Sequence, residues 1–168
     1  MTSSNLPPQT IRQYFKALTV LHFALVTGIV LFTIISFVLQ NTGSFAGGDP
    51  ALARLFLYIV PVLAVGCVIA GNNQYKKQVN EIKDLQGLAD KLNAYRAAFI
   101  KRDALMEGPA LFAIIAYLLT GQMLLLAIAA LLIAAFLYFR PTKDTLIKDL
   151  ELSTDETIII QNDDAIIQ

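Results

Sequence analysis

The chain contains a single cysteine and a single histidine in 168 residues, and most of what this implies is exclusion. Cys67 has no second cysteine with which to form an intramolecular disulfide, and its place in an apolar run reads as a small packing residue. Cys-x-x-Cys and His-Glu-x-x-His are absent, as are a glycine-rich phosphate loop and a Gly-x-Ser-x-Gly elbow. An enzyme made from this inventory would have only carboxylates at a membrane surface, so the chain is read as a non-enzyme without cofactor or metal. Charge is scarce too. Thirteen basic and thirteen acidic residues cancel, while 56% of the chain is hydrophobic and the mean hydropathy is +0.60. Soluble domains do not have this composition; membrane proteins do.

The next scarcity is positional. Lys and Arg are missing from two of the connections between apolar runs, and all basic residues except Arg54 fall where a four-span topology places one side of a bilayer. Arg12 and Lys16 precede the first run, Lys76, Lys77, Lys83, Lys91, Arg96, Lys101 and Arg102 separate the second from the third, and Arg140, Lys143 and Lys148 follow the fourth. Short loops rich in Lys and Arg stay in the cytoplasm, so both termini and the central loop are expected there. Topology accounts for these residues, and nucleic acid is not expected as a partner.

The expected fold is all-α and polytopic: a four-helix membrane domain over residues 1–140, with spans at about 17–39, 51–70, 104–119 and 123–139, and an acidic cytoplasmic tail over 141–168. The first uncharged run, Ala17 to Leu39, is 23 residues, longer than the roughly 7–15 of a signal-peptide core, so Ser44-Phe45-Ala46 is not read as a cleavage site. Thr10 is a plausible N-cap, after an irregular stretch around Leu6-Pro7-Pro8. Gln40 to Gly43 and Gly47 to Pro50 mark an external loop, Arg54 can snorkel to the interface, and Pro61 is expected to kink span two. Gly108 to Phe139 contains 32 residues without a charge, about 48 Å as one helix against roughly 30 Å of hydrocarbon. Division at Thr120-Gly121-Gln122 gives two spans and returns Arg140 to the basic side.

Between spans two and three, Val79, Ile82, Leu85, Leu88, Leu92, Tyr95 and Phe99 recur at three- and four-residue steps, the mark of an apolar helical stripe. A cytoplasmic helical hairpin is therefore expected over 72–103, reversing at Asp84 to Gly87. Pro141 ends the fourth helix, and Ile147, Leu150 and Leu152 suit a short amphipathic turn. Ser153-Thr154-Asp155-Glu156 has the form of a capping box, but residues 153–168 as a whole suggest disorder in isolation, with ordering on a partner as the alternative.

Glu107, set among apolar residues, raises a functional hypothesis because an intramembrane carboxylate is costly unless paired, protonated or hydrated. His22 is its expected partner, since both stand five or six residues inside a basic residue, and Asn72 and Asn73 fall near the same level. Such a cluster suits a proton or ion relay or a ligand pocket. The simpler reading is structural: Gly108-Pro109 as a helix restart, with Glu107 facing the positive helix end and interfacial water.

Arg102-Asp103-Ala104-Leu105-Met106-Glu107-Gly108-Pro109-Ala110-Leu111-Phe112, then Tyr117-Leu118-Leu119-Thr120-Gly121, resembles a pattern in small, uncharacterised bacterial four-helix inner-membrane proteins. The likeness continues through Arg140-Pro141-Thr142-Lys143 to Asp149-Leu150-Glu151-Leu152 and covers the C-terminal third. It implies a bacterial inner-membrane location and brings no activity. The expected function is that of an accessory or scaffold protein working through a protein partner or self-association within the lipid bilayer. The alternative is a small homo-oligomeric ion or proton pathway using Glu107 and His22.

Overall fold

The computed structural model describes residues 9–43 and 49–167. Expectations for the Leu6-Pro7-Pro8 stretch, Ser44-Phe45-Ala46 and Gly47-Gly48 lie outside the described residues. Helix α1 (Ile11–Asn41) starts as its sequence suggests: the Thr10 hydroxyl accepts the Gln13 amide, and the Gln13 side chain accepts the Thr10 N–H. Asp49 caps α2 (Pro50–Lys83), with Pro50 in the first turn, where its missing N–H is not needed. The chain reverses over Asp84 to Gly87, and Gly87 adopts φ +91°, which other residues rarely tolerate. Helix α3 (Leu88–Thr120) follows, then a two-residue turn at Gly121-Gln122 and α4 (Met123–Tyr138). Two short helices complete the order, α5 (Lys143–Leu150) and α6 (Thr154–Gln161). Among the described residues no strand forms; Thr10 and Ile166 make one isolated antiparallel bridge.

Helices α1, α2 and α3 are each long and apolar enough to cross a membrane, whereas α4, at 16 residues, passes that test only together with α5, from which it is bent by 77°. Within the apolar windows, 22% of α1 and 17% of α2 are buried, against 44% of α3. Helix α3 is thus the central member, packed on α1, α2 and α4. The outward faces carry Leu31, Ile34, Ile35, Val62, Val65 and Leu131. A surface this apolar suits hydrocarbon as its solvent, not water. Both internal prolines sit within unbroken helices, Pro61 in α2 and Pro109 in α3. The expected restart at Gly108-Pro109 therefore does not occur; buried packing of Pro109 and Ala110 in the bundle offsets the lost backbone hydrogen bond.

The described residues form two cores. One lies inside the apolar bundle and includes Ile29, Val60, Ala113, Ile114, Leu125 and Phe136. The other lies beyond it, where α1, α2 and α3 overshoot α4, and includes Ile11, Tyr14, Val79, Tyr95, Leu146 and Ile160. At about 1.5 Å per residue, α2 and α3 are each roughly 50 Å long and α4 about 24 Å, so the overshoot is a folded head of several turns. At the opposite end, Gln40 Nε2 donates to the Leu118 carbonyl at 2.9 Å, tying α1 to the last turn of α3. Gly121 (φ +69°) closes that turn; a Cβ there would meet Gln40 Nε2 at 3.3 Å.

The tail departs from expectation. Instead of a disordered segment, Ser153 and Glu156 form the reciprocal capping box that starts α6, and Ile160 is fully buried in the head. The following residues lie along the start of α1: Ile11 N–H donates to the Ala165 carbonyl and Arg12 N–H to that of Asp163, both at 3.0 Å. These amides are among the four that a helix start leaves without internal partners. Acidic side chains meet head cations, Glu156 with Lys91 at 2.8 Å and Asp163 with Lys143. The partner that orders the tail is the chain's own head.

These ion pairs give the docking a pH dependence. The Lys91 hydrogen bond holds Glu156 below the ordinary carboxylate range, and Lys143 does the same for Asp163. A carboxyl that ionises more easily in the folded state stabilises it at pH above its unfolded value, about 4. That contribution is lost as pH falls through the lower folded value. Between pH 7 and pH 3, hydrogen exchange at the Ile11 and Arg12 amides is therefore expected to accelerate, after correction for intrinsic rates, before exchange in α3 does. Equal protection at both pH values would remove the ion pairs as contributors.

Candidate functional site

The most unusual chemistry lies where the two cores meet. Along α1 the inward stripe is Tyr14, Leu18, His22, Val26 and Ile29; along α3 it is Tyr95, Phe99, Asp103, Met106 and Ala110. A histidine and an aspartate thus occupy positions that helical periodicity assigns to core side chains. They meet: His22 Nδ1 lies 2.9 Å from Asp103 Oδ2, and both side chains are 0% exposed. The imidazole is walled by Phe23, Phe99 and Phe136, at ring-centroid separations of 5.6, 5.8 and 4.9 Å. His22 Nε2 and Asp103 Oδ1 have no hydrogen-bond partner among the described residues.

The expected pair of His22 with Glu107 is therefore not the one that forms. Helices α1 and α3 run in the same direction, as the Tyr14 hydroxyl bond to the Leu92 carbonyl at one end and Gln40 to Leu118 at the other require. In that register His22 is level with Asp103, and Glu107 lies one turn, about 6 Å, deeper. Glu107 is half-buried and has no hydrogen bond or ion pair among the described residues. Asn72 is half-buried and lines a cavity with Arg102, while Asn73 is exposed. The four residues do not form one cluster.

Arg102, beside Asp103 in sequence, points elsewhere. Its guanidinium is almost fully buried, stacked within 4.2 Å of the Tyr75 ring centroid and 4.8 Å of that of Phe99. Nη2 donates to the Phe139 carbonyl at 2.8 Å, which fixes the end of α4 against α3. Among the described residues no carboxylate lies within ion-pair distance, and its Nε is buried without a partner. Close by, the Tyr75 hydroxyl joins that of Tyr95 at 3.0 Å and donates to Asp149 Oδ2 at 2.6 Å. With one proton on each hydroxyl, the order is Tyr95 to Tyr75 to Asp149. Burial pushes the Tyr95 phenol up to about 12. Burial, with Tyr95 and the Asp149 hydrogen bond, pushes Tyr75 higher still. Both are protonated donors at neutral pH and join α2 and α3 to α5.

The possible chemistry is narrow. An imidazole oriented by a carboxylate is half of a general-base arrangement, yet Nε2 is buried and no nucleophile among the described residues is hydrogen-bonded to it. Among the described residues no group of three His, Cys, Asp or Glu side chains is placed to hold a metal ion. Asp103 had a readable signal, since extending the hairpin stripe four residues past Phe99 lands on it. The roles of Arg102, Tyr75 and Asp149 depend on contacts between distant segments and had no such signal. No protein-family model, curated protein or solved structure matches this chain.

Proposed function

We propose that the protein is a four-span accessory or scaffold protein of a bacterial inner membrane, with both termini and the helical head in the cytoplasm. It works through contacts with a protein partner or a second copy, without catalysis. The head carries this reading. A membrane anchor needs no second core, whereas here the start of α1, the α2–α3 hairpin and the tail are packed around one. Their ionisable groups are used to bind these segments together. The result is a rigid surface held off the bilayer. Between the hairpin arms it presents a groove of about 580 Å³, whose walls include Lys77, Gln78, Glu81, Leu85, Ala97 and Lys101. A lysine on each rim, Lys77 and Lys101, with Glu81 beside a small apolar floor, suits a protein segment better than a small apolar ligand.

The fourth span is favoured by connectivity. The start of α4 follows the Gly121 turn, and its end meets Arg102 and the head-packed α5, so α4 covers the distance between the two ends of the bundle. Its 16 residues reach about 24 Å, short of the roughly 30 Å of average hydrocarbon, a mismatch that local thinning absorbs. The head, which holds every Lys and Arg except Arg54, then faces the cytoplasm. The proton-pathway alternative has less in its favour, because Glu107 is not joined to His22 and the imidazole ends on aromatic rings.

One set of variants tests orientation and contact, in a Cys67→Ser background. A membrane-impermeant maleimide is expected to label Asn41→Cys in intact spheroplasts, and Lys77→Cys only after permeabilisation. A benzophenone carried on Lys77→Cys should give a discrete protein adduct that weakens when Lys101→Glu is added across the groove. Reversed labelling, or an adduct no stronger than from Tyr58→Cys on the outer apolar face, would remove the proposal.

A further inference from the structure

Beneath the head, α2 and α4 flank two cavities, one above the other. The upper one, of about 290 Å³, is lined by Asn72, Lys76, Arg102, Tyr138, Arg140 and Asp149, among others. Three cations and one carboxylate face it, a net of two positive charges, and the carboxylate already accepts from Tyr75. Neither Lys76 nor Arg140 has an ion-pair partner among the described residues, and Arg102 is a buried cation without a counter-ion. Ring stacking and the Phe139 carbonyl offset part of the cost of burying that guanidinium, and an anion supplies the opposite charge they lack. The guanidinium's planar donors suit a phosphate oxygen pair.

The lower cavity, about 300 Å³, has no polar lining; Pro61, Val65, Ile69, Ile128 and Leu131 form much of its wall. From Ile69 to Asn72 is three residues, so it ends about 5 Å below the basic cavity on the same helix. From Pro61 to Lys76 the seam extends roughly 22 Å along α2, the reach of an acyl chain plus its headgroup. Tyr138, 81% exposed, stands beside the basic cavity, as expected of an aromatic residue at a headgroup layer. We infer that the α2–α4 seam is a binding site for one anionic phospholipid. Its phosphate sits on Arg102, Lys76 and Arg140, and one acyl chain lies against Pro61, Ile69 and Leu131. The apolar cavity directly below the cations favours a lipid over free phosphate. The inference rests on the membrane part of the proposed function and not on the partner contacts.

Native mass spectrometry of the full chain released from detergent, titrated with phosphatidylglycerol, phosphatidylcholine or inorganic phosphate, tests it. Wild type is expected to retain phosphatidylglycerol at least tenfold more tightly than phosphatidylcholine and to ignore millimolar phosphate. The Lys76→Gln/Arg140→Gln variant changes only exposed cations and leaves Arg102 in place. At about fivefold per surface cation it should lose roughly 25-fold in phosphatidylglycerol affinity, with lipid-free melting unchanged. Equal retention of the two lipids, or an unaltered preference in the variant, overturns the site. Competition by inorganic phosphate assigns the cations to a soluble anion and overturns the lipid. Carbonate-resistant membrane retention of the same variant reads insertion separately, so retention without lipid preference removes this site alone.

Discussion

His22→Leu is expected to destabilise the protein by about 3–5 kcal/mol, a large share of the roughly 5–15 kcal/mol that folded domains possess. The cost arises less from what leaves than from what stays. With the imidazole gone, Asp103 Oδ2 loses its 2.9 Å partner, Oδ1 already has none, and the side chain remains at zero exposure among aromatic rings. The double variant His22→Leu/Asp103→Leu removes both polar groups and is expected to recover nearly all of the loss, since apolar residues of similar volume commonly replace a buried pair at no net cost. Unfolding of the four proteins of this cycle in mixed micelles, followed by circular dichroism, gives a coupling energy expected to exceed 2 kcal/mol. A single-variant cost below about 1 kcal/mol would mean that the pair is hydrated and the seam between the cores is open. Proton flux in liposomes adds a functional readout. Flux equal in wild type and double variant leaves the pair a structural register pin, while flux present in wild type and lost in the double variant would revive the pathway reading.

What could be read from sequence follows from what each signal depends on. Caps and turns are local: Thr10, Ser153, Gly87 and Gly121 act within four residues, and each does what its type and neighbours imply. Stripes are nearly local, so the reversal near Asp84 and the division of the last apolar stretch at Gly121 were legible. Interhelical register is not local. Levelling His22 with Glu107 assumed that Lys16 and Arg102 stand at one height, but both long helices extend into the head and their basic residues are spread over several turns. The Tyr14 bond to Leu92 sets the true register, and no property of either residue alone reveals it. Proline at 109 misled in a related way. A restart is its usual local meaning, and tertiary packing overrode it. The tail was unreadable for a third reason: a capping box, the Ile158–Ile160 run and the Asp163-Asp164 pair give no single periodicity, while its docking surface is assembled from α1, α3 and α5, three segments far apart in sequence.

Ending the chain after Leu152 is expected to cost about 3–6 kcal/mol, localised to the head. Removing Ile160 exposes the apolar surface it covers, about 1.5–3 kcal/mol for one fully buried aliphatic side chain. The hydrogen bonds from Ile11 to Ala165, Arg12 to Asp163 and Ile167 to Gln9 go with it, at about 0.5–1.5 kcal/mol each. The entropy regained by the freed segment offsets part of the gross loss. The apolar bundle does not contain these contacts, so hydrogen exchange should rise over residues 11–18 and 88–99 while residues 108–118 keep their protection. Ile160→Ala separates the contributions: an apolar origin predicts about 2–5 kcal/mol from that change alone, with α6 still docked through Lys91 and Glu156. Unchanged exchange in the head after truncation would show that the tail is an appendage and not part of the second core. The expected outcome also bears on how a partner surface is located. If truncation loosens the hairpin groove as well as removing the tail, loss of a bound partner in the truncated protein does not identify the tail as the contact. Point changes on the groove rim, Lys77 and Lys101, leave the second core intact, and only they assign the contact to that surface.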